Sequence, residues 1–301
     1  MPEHISIPRG PIELAADLYW PDGVQPLRAV VLSTPGSSVK EQIGANYASR
    51  LADRGIAALV FDPAHQGQSG GEPRDLEDPY RRSEDISYAI DALTTIPGID
   101  PHRIGVLGIC AGGGYAVHAA RTDHRIKAVG VVDPGEMGAS FRGFQADGPA
   151  AALDLLAEAR IQEARTGRLT REKWLPDTMG EAEAAGVTDV DLLQALRYYR
   201  TERGRNEHST NRRLARSDSL LIGFDAFHLV DQLMTQPLQL ILAENLDGTG
   251  FDEAGKRLWD LAPNPVDRMV VNGARHYEMY DLPEYVDAAV DRLATFYTDH
   301  L

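Results

Sequence analysis

Ile104-Gly-Val-Leu-Gly-Ile-Cys110-Ala-Gly-Gly-Gly-Tyr115 is the most informative stretch of this chain of 301 residues, and it contains the only cysteine. Gly108, Cys110 and Gly112 stand in the small-x-nucleophile-x-small pattern of a tight turn from a strand into a helix. Such a turn tolerates almost no side chain two positions before and after the nucleophile. A cysteine at the start of a helix also lies at the positive end of the helix dipole, which favours the reactive thiolate.

Two other interpretations of this stretch have to be weighed. A lone cysteine among glycines is often a small buried apolar residue, and glycine-rich turns after strands also bind nucleotides. A dinucleotide fingerprint, however, belongs to an early βαβ unit with an acidic residue about twenty positions later. This turn lies in the middle of the chain and carries a thiol. The rest of the sequence therefore has to decide between a nucleophile and a core residue.

Composition and charge narrow the class of protein. The formal net charge of −15 argues against nucleic acid or an anionic membrane as a partner, since both need clustered Lys and Arg. A single cysteine excludes an internal disulfide framework and favours a reducing compartment. We see no secretory signal and no apolar run of membrane-spanning length, so we predict a cytoplasmic protein. A homodimer is the one oligomer that we consider. No residue pattern indicates a metal or an organic cofactor.

Short apolar runs alternate with helical patterns on both sides of the glycine turn. Two alternating segments near the N-terminus predict an antiparallel edge pair. Buried strands are predicted at 27–33, 56–61, 103–108 and 126–132, with helical spacing between them. This alternation predicts an α/β protein with a mostly parallel, doubly wound sheet.

The alternation stops after residue 135 and resumes near residue 236. The intervening residues contain helical stretches and no convincing strand. Strand patterns then return at 238–243 and 268–271, before a closing helix. We predict an α/β core formed by residues 1–135 and 236–301, with a helical cap at 136–235 inserted over one end of the sheet.

Candidate partners for Cys110 follow the last two predicted strands. A thiol nucleophile needs a base, an orienting acid and an oxyanion hole. In this architecture the nucleophile, the acid and the base occur in that order along the chain, each at the end of a strand. His276 is therefore the predicted base. Asp247 is the predicted orienting acid, with Glu244 as the alternative and Asp252 as a more distant one.

The oxyanion hole is predicted to use two backbone N–H groups. One belongs to Ala111, directly after the nucleophile, and the other to Ser37, in the loop after the strand at 27–33. Since the substrate has to lie beside this hole, four further residues are candidates for contact with a small acyl substrate: Gly36, His65, Gln66 and Tyr115. For His65 and Gln66 an equally good alternative is that they hold the glycine-rich loop around them in shape.

With these residues placed, the chain resembles the α/β-hydrolase superfamily, and within it the dienelactone hydrolase-like branch whose elbow carries cysteine. The likeness covers nearly the whole chain and rests on the Pro35-Gly36 loop, the stretch 62–71, the elbow and the order of Asp247 and His276. The chain is also similar to capped bacterial hydrolases and to fungal polyketide transferases and thiohydrolases, through a further motif at 198–212.

The resemblance implies a hydrolase of carboxylic esters or thioesters with an acyl-cysteine intermediate at Cys110. An acyltransferase would use the same intermediate, and a non-catalytic or oxidant-sensing binder would use the same fold. Dienelactone hydrolases proper are shorter, lack such a cap and place a glutamate after the strand equivalent to 27–33. This chain has Thr34, Pro35 and Ser37 there, so the substrate-gated thiol and the lactone substrate of those enzymes do not carry over.

Overall fold

The computed structural model describes residues 1–23, 27–246 and 248–301. Its strands are β1 (Glu3–Arg9), β2 (Ile12–Tyr19), β3 (Leu27–Ser33), β4 (Ala57–Phe61), β5 (Ile99–Ile109), β6 (Ile126–Val132), β7 (Arg171–Lys173), β8 (Arg212–Leu214), β9 (Leu238–Asn245) and β10 (Pro265–Arg275). Its helices are α1 (Ala45–Ala52), α2 (Pro79–Thr95), α3 (Ala111–Ala120), α4 (Met137–Gly143), α5 (Pro149–Thr166), α6 (Met179–Ala184), α7 (Val190–Tyr199), α8 (Arg216–Ile222), α9 (Val230–Leu233), α10 (Phe251–Leu261) and α11 (Pro283–His300). A π-helical turn, Lys40–Gly44, precedes α1, and a 3-10 turn, His276–Glu278, follows β10.

Eight of the strands form one sheet in the order β1-β2-β4-β3-β5-β6-β9-β10. The β1–β2 and β2–β4 pairs are antiparallel, and all the other pairs are parallel. The predicted antiparallel edge pair and the mostly parallel, doubly wound sheet are both confirmed. From β3 the chain first moves outward to β4 and then crosses back to β5, so the strand order reverses beside β5. Ligands of open α/β sheets bind at such a reversal, outside the carboxyl ends of the strands.

The central strands are apolar on both faces because helices cover both sides of the sheet. Val31 in β3, Leu59 in β4 and Leu107 in β5 are each fully buried. The closing helix α11 packs with the inner face that the sequence predicts, at Val286, Val290, Leu293 and Phe296. None of the helices in the described residues combines the length and the apolarity needed to cross a bilayer.

Residues 136–235, predicted as a helical cap, lie between β6 and β9 and contain α4 to α9. They also contain a small antiparallel sheet of β7 and β8, which the sequence analysis did not predict. Each of these strands has only three residues, Arg-Glu-Lys and Arg-Arg-Leu, and neither shows the alternation that marks a strand. The boundaries of the cap stay a prediction.

The glycines of the elbow allow β5, α3 and the loop after β3 to approach one another. A Cβ atom on Gly108 would lie 2.4 Å from the carbonyl oxygen of Gly112, and a Cβ on Gly112 would lie 2.0 Å from the carbonyl oxygen of Ser33. Both obstacles are backbone atoms, which cannot rotate away as a flexible side chain would. These two positions therefore require glycine for steric reasons.

We predict that Gly112→Ala lowers the free energy of unfolding by about 1–3 kcal/mol, the usual cost of overpacking a tight core. Urea denaturation measures this change. Gly143→Ala is the matched control, because a Cβ there meets nothing within 4 Å. Equal midpoints for Gly112→Ala and the wild type would contradict the steric account of the elbow.

Candidate active site

Cys110 lies at the junction of β5 and α3 with backbone angles φ 56 and ψ −126. A non-glycine residue pays a conformational cost in this region, so the surrounding structure has to hold it there. Its N–H donates to the carbonyl oxygen of Val132 at 3.0 Å, and its own carbonyl oxygen accepts from Gly113 and Gly135, each at 2.8 Å. The strand-turn-helix setting predicted for Cys110 is present, and the residue is partly exposed.

His276 lies in the 3-10 turn after β10 and is almost completely buried. Its Nδ1 is 3.1 Å from Oδ2 of Asp133, a buried residue that directly follows β6. The other carboxylate oxygen of Asp133 accepts a 2.8 Å hydrogen bond from the N–H of Ala243. Phe251 stacks on the imidazole with a centroid distance of 4.1 Å. The ring is thus fixed in its plane and in its position.

The acid beside the histidine is one that the sequence analysis did not consider. Asp247, the predicted acid, lies outside the described residues. Glu244, the alternative, is exposed and accepts a 2.6 Å hydrogen bond from the N–H of Gly273. The sequence does contain a signal for Asp133, because this residue directly follows a buried strand. The acids that the sequence suggested lie at or after the end of β9, whereas Asp133 follows β6.

The second ring nitrogen of His276, Nε2, is 3.0 Å from the hydroxyl oxygen of Tyr280. Burial alone would lower the pKa of His276, but the negative charge of Cys110 and the contacts with Cys110 and Asp133 outweigh it and raise the pKa to about 10. The imidazolium form of His276 is therefore favoured, with Asp133 on one side of the ring and Cys110 on the other. Tyr280 also lies beside Cys110, and burial raises the pKa of its hydroxyl well above the ordinary value, so this hydroxyl stays protonated.

The loop after β3 lies next to the elbow, and side chains donate hydrogen bonds to several of its carbonyl groups. The guanidinium of Arg82, a buried residue of α2, donates to the carbonyl oxygens of Thr34 and Pro35. Ser37 has a positive φ of 64, and its carbonyl oxygen accepts a 2.8 Å hydrogen bond from the hydroxyl of Ser209. The N–H of Ser37 makes no hydrogen bond within the described parts of the chain. Ala111 is the first residue of α3, so its N–H has no acceptor in the helix.

Two of the four substrate-contact candidates share one buried carboxylate, and a third supports a loop through its backbone. Tyr115 is fully buried, and its hydroxyl donates to the carboxylate of Glu77 at 2.8 Å. The side-chain amide of Gln66 donates to the same carboxylate. His65 is buried, and its backbone bonds to Gly70 and Asp75 hold the glycine-rich loop. Of the two roles considered for His65 and Gln66, these contacts favour support of the loop, and they leave Tyr115 no surface that faces a substrate.

Two cavities lie where the cap residues meet the core. The smaller, of about 80 Å³, is lined by Gly36, Ser37, Tyr199 and Tyr277 among others, so the fourth candidate, Gly36, does face an open space. The larger, of about 470 Å³, shares Tyr277 and has a polar wall that includes Asp191, Gln194 and Arg275. Within residues 1–23, 27–246 and 248–301, no group of three or more His, Cys, Asp or Glu side chains is arranged to hold a metal ion.

Comparison with known proteins gives consistent matches. The model of the "Alpha/beta hydrolase family" matches residues 30–294. The uncharacterized protein YcjY of Escherichia coli is 36% identical over 296 residues, which cover 96% of this chain and 95% of YcjY. The crystal structure of hypothetical protein PA2218 from Pseudomonas aeruginosa superposes with a TM-score of 0.90 at 29% identity, over 100% of this chain and 94% of that one. The thiohydrolase aneE of Aspergillus aculeatus is 35% identical over 123 residues, covering 41% of this chain and 38% of aneE.

We predict that alkylation of Cys110 with iodoacetamide lowers the pKa of His276 from about 10. Alkylation removes the negative charge of the sulfur, and burial then favours the neutral ring. NMR titration of protein with ¹³C-labelled histidine measures the change. His118 is the internal control, because burial lowers its pKa to about 4 without any influence of Cys110. An unchanged pKa of His276 would show that the thiolate does not control this histidine.

Proposed function

The chain belongs to the alpha/beta hydrolase family, and on this premise we propose that it hydrolyses carboxylic esters or thioesters through an acyl-thioester on Cys110. The observation that carries the proposal is the buried imidazole of His276, held by Asp133 on one side and next to Cys110 on the other. A nucleophile on a strained elbow, a histidine and an orienting carboxylate are the parts of a catalytic triad. In this assignment Asp133 takes the role that the sequence analysis gave to Asp247, and the cysteine elbow is that of the dienelactone hydrolase-like branch.

In the first half-reaction the Cys110 thiolate attacks the carbonyl carbon of the substrate. The carbonyl oxygen becomes an oxyanion, which accepts hydrogen bonds from the N–H groups of Ala111 and Ser37. As the tetrahedral intermediate collapses, the bond to the leaving group breaks, and the His276 imidazolium gives its proton to the departing alkoxide or thiolate. The products of this step are the acyl-thioester, a free alcohol or thiol, and a neutral imidazole.

The electrostatics of the site suit the second half-reaction as well. Acylation removes the charge of Cys110, which is a principal reason for the high pKa of His276. With that charge gone, burial favours the neutral ring, and a neutral ring can accept a proton from water. The resulting hydroxide attacks the thioester, and collapse of the second intermediate releases the carboxylic acid. This step restores the thiolate and the imidazolium.

Water and an alcohol or amine can both resolve the same acyl-thioester, so hydrolysis and acyl transfer differ only in the acceptor. We favour hydrolysis, in agreement with the name of the thiohydrolase aneE, to which this chain is similar. Adding acceptor amines or alcohols to the reaction distinguishes the two outcomes, because transfer yields an amide or a new ester in place of the free acid.

We predict that wild-type protein releases p-nitrophenol from short p-nitrophenyl esters and forms an acyl adduct that intact mass spectrometry detects. Acyl-CoA thioesters serve as a second class of substrate. Cys110→Ala should show neither turnover nor adduct, since no other cysteine is present. If the wild type shows neither turnover nor adduct with p-nitrophenyl esters and acyl-CoA thioesters, the proposed enzymatic function is rejected. That result would favour a non-catalytic or oxidant-sensing binder.

We further predict that Asp133→Asn lowers kcat by about 10²–10⁴-fold, because the imidazolium loses its charge partner and its fixed tautomer. Glu244→Gln is the matched control, because a glutamine oxygen can still accept the hydrogen bond from Gly273. Steady-state kinetics of both variants and of Asp247→Asn decides between the two acids. A large loss in Asp247→Asn together with a small one in Asp133→Asn would restore the original prediction.

A further inference from the structure

The segment 198–212, which we call the cap motif, is anchored on the core around the loop after β3. The side-chain amide of Gln42 donates to the carbonyl oxygen of Gly204 at 2.6 Å. The hydroxyl of Ser209 donates to the carbonyl oxygen of Ser37 at 2.8 Å. At the other side, Arg203 donates to the carboxylate of Asp281 at 2.8 Å. The cap motif is therefore held in a fixed position over the residues that surround Cys110.

Tyr199, the last residue of α7, brings an unpartnered polar group into this region. The residue is only 7% exposed, and its hydroxyl makes no hydrogen bond of good geometry within the described residues, although the hydroxyls of Ser38 and Tyr280 are close enough to influence its pKa. A buried hydroxyl without a partner is costly, and native structures seldom retain one without a reason such as a catalytic role or a bound ligand. The ring of Tyr198 packs edge-on against the ring of Tyr199 at 4.9 Å between centroids.

The Tyr199 side chain lines the cavity of about 80 Å³ together with Gly36 and Ser37. It thus borders the same space as the loop that supplies one of the proposed oxyanion donors. The hydroxyls of Ser38 and Tyr280 lie near it, and the charge of Cys110 reaches it. Burial is the largest influence and raises the pKa of Tyr199 well above its ordinary value. The group is therefore a hydrogen-bond donor at neutral pH and not a base.

We propose that Tyr199 is a catalytic residue whose hydroxyl donates a third hydrogen bond to the oxyanion formed at Cys110. This inference rests on the proposed acyl-cysteine function. The tyrosine keeps its proton throughout. Its O–H group donates a hydrogen bond to the substrate oxygen as negative charge develops, and this hydrogen bond breaks when the carbonyl re-forms. The other two donors are backbone N–H groups of the core, at Ala111 and Ser37, so the cap motif completes the oxyanion hole from the opposite side.

The alternative role for Tyr199 is simple packing in the tyrosine cluster of Tyr198, Tyr277 and Tyr280. Packing needs the ring and not the hydroxyl, so Tyr199→Phe separates the two roles. Because the hydroxyl has no partner in the resting protein, its removal should leave the urea midpoint unchanged or slightly raised. Tyr198→Phe is the matched control, since it removes a hydroxyl from the adjacent ring of the same cluster.

Three measurements on wild type, Tyr199→Phe and Tyr198→Phe test the proposal. The first is kcat and KM for a p-nitrophenyl ester. The second is the inhibition constant of the aldehyde that matches the acyl group, whose carbonyl carbon bonds to the Cys110 sulfur and whose oxygen becomes the analogue of the oxyanion. The third is the rate of alkylation by iodoacetamide, in which the sulfur displaces iodide and no oxyanion forms.

For Tyr199→Phe we expect kcat to fall about 10²-fold, the usual effect of removing one oxyanion donor, with little change in KM. The aldehyde should bind more weakly by a similar factor, and the alkylation rate should stay within about twofold of the wild type. Tyr198→Phe should resemble the wild type in all three.

Two results would overturn the proposal while leaving the acyl-cysteine function intact. One is an unchanged kcat and aldehyde affinity in Tyr199→Phe. The other is a parallel loss in kcat and alkylation, because it would place the effect on the thiolate and not on the oxyanion. If the wild type is alkylated but neither turns over esters nor binds the aldehyde, the proposed function fails, and the role of Tyr199 is rejected with it.

Discussion

The burial of His276 is the constraint on which the rest of the site depends. A fully buried imidazole favours its neutral form, and only strong local charges can hold it as an imidazolium. Asp133 and Cys110 supply these charges, and they come from the ends of β6 and β5, two neighbouring strands. The parallel order of the sheet brings both to the same edge as the end of β10. The order of the strands therefore determines which charged groups surround His276.

The sequence predicts the parts of this site whose position follows from local rules. The elbow at Cys110 is predictable because a tight strand-to-helix turn requires small residues at Gly108 and Gly112, where a Cβ would meet the backbone of Gly112 and Ser33 respectively. The position of His276 follows from strand order alone. The acid is different, because residues after both β6 and β9 reach the same edge of a parallel sheet. Whether Asp133 contacts the histidine depends on its unusual backbone angle, φ 43, and on its bond to Ala243, and neither is visible in one sequence.

The roles of the polar residues near the glycine loops also depend on contacts with residues far away in the sequence. Gln66 and Tyr115 look available to a substrate because they flank turns that surround the site. The buried carboxylate of Glu77 takes both as donors, since a buried charge needs several hydrogen bonds. The cap motif behaves in the same way: Ser209 contacts Ser37 across 172 residues of sequence. Contacts of this kind leave no periodic pattern, so only the folded chain shows them.

Carbonyl groups on both sides of the Ser37 N–H are held by side chains. Arg82 holds the carbonyls of Thr34 and Pro35, and Ser209 holds the carbonyl of Ser37 itself. With these neighbouring peptide groups fixed, the intervening group between Gly36 and Ser37 has little rotational freedom. A donor that is fixed before the reaction costs no reorganisation when charge develops, which is the source of oxyanion stabilisation. Since Ser209 belongs to the cap motif, the proposed mechanism gives this motif a part in fixing the Ser37 donor.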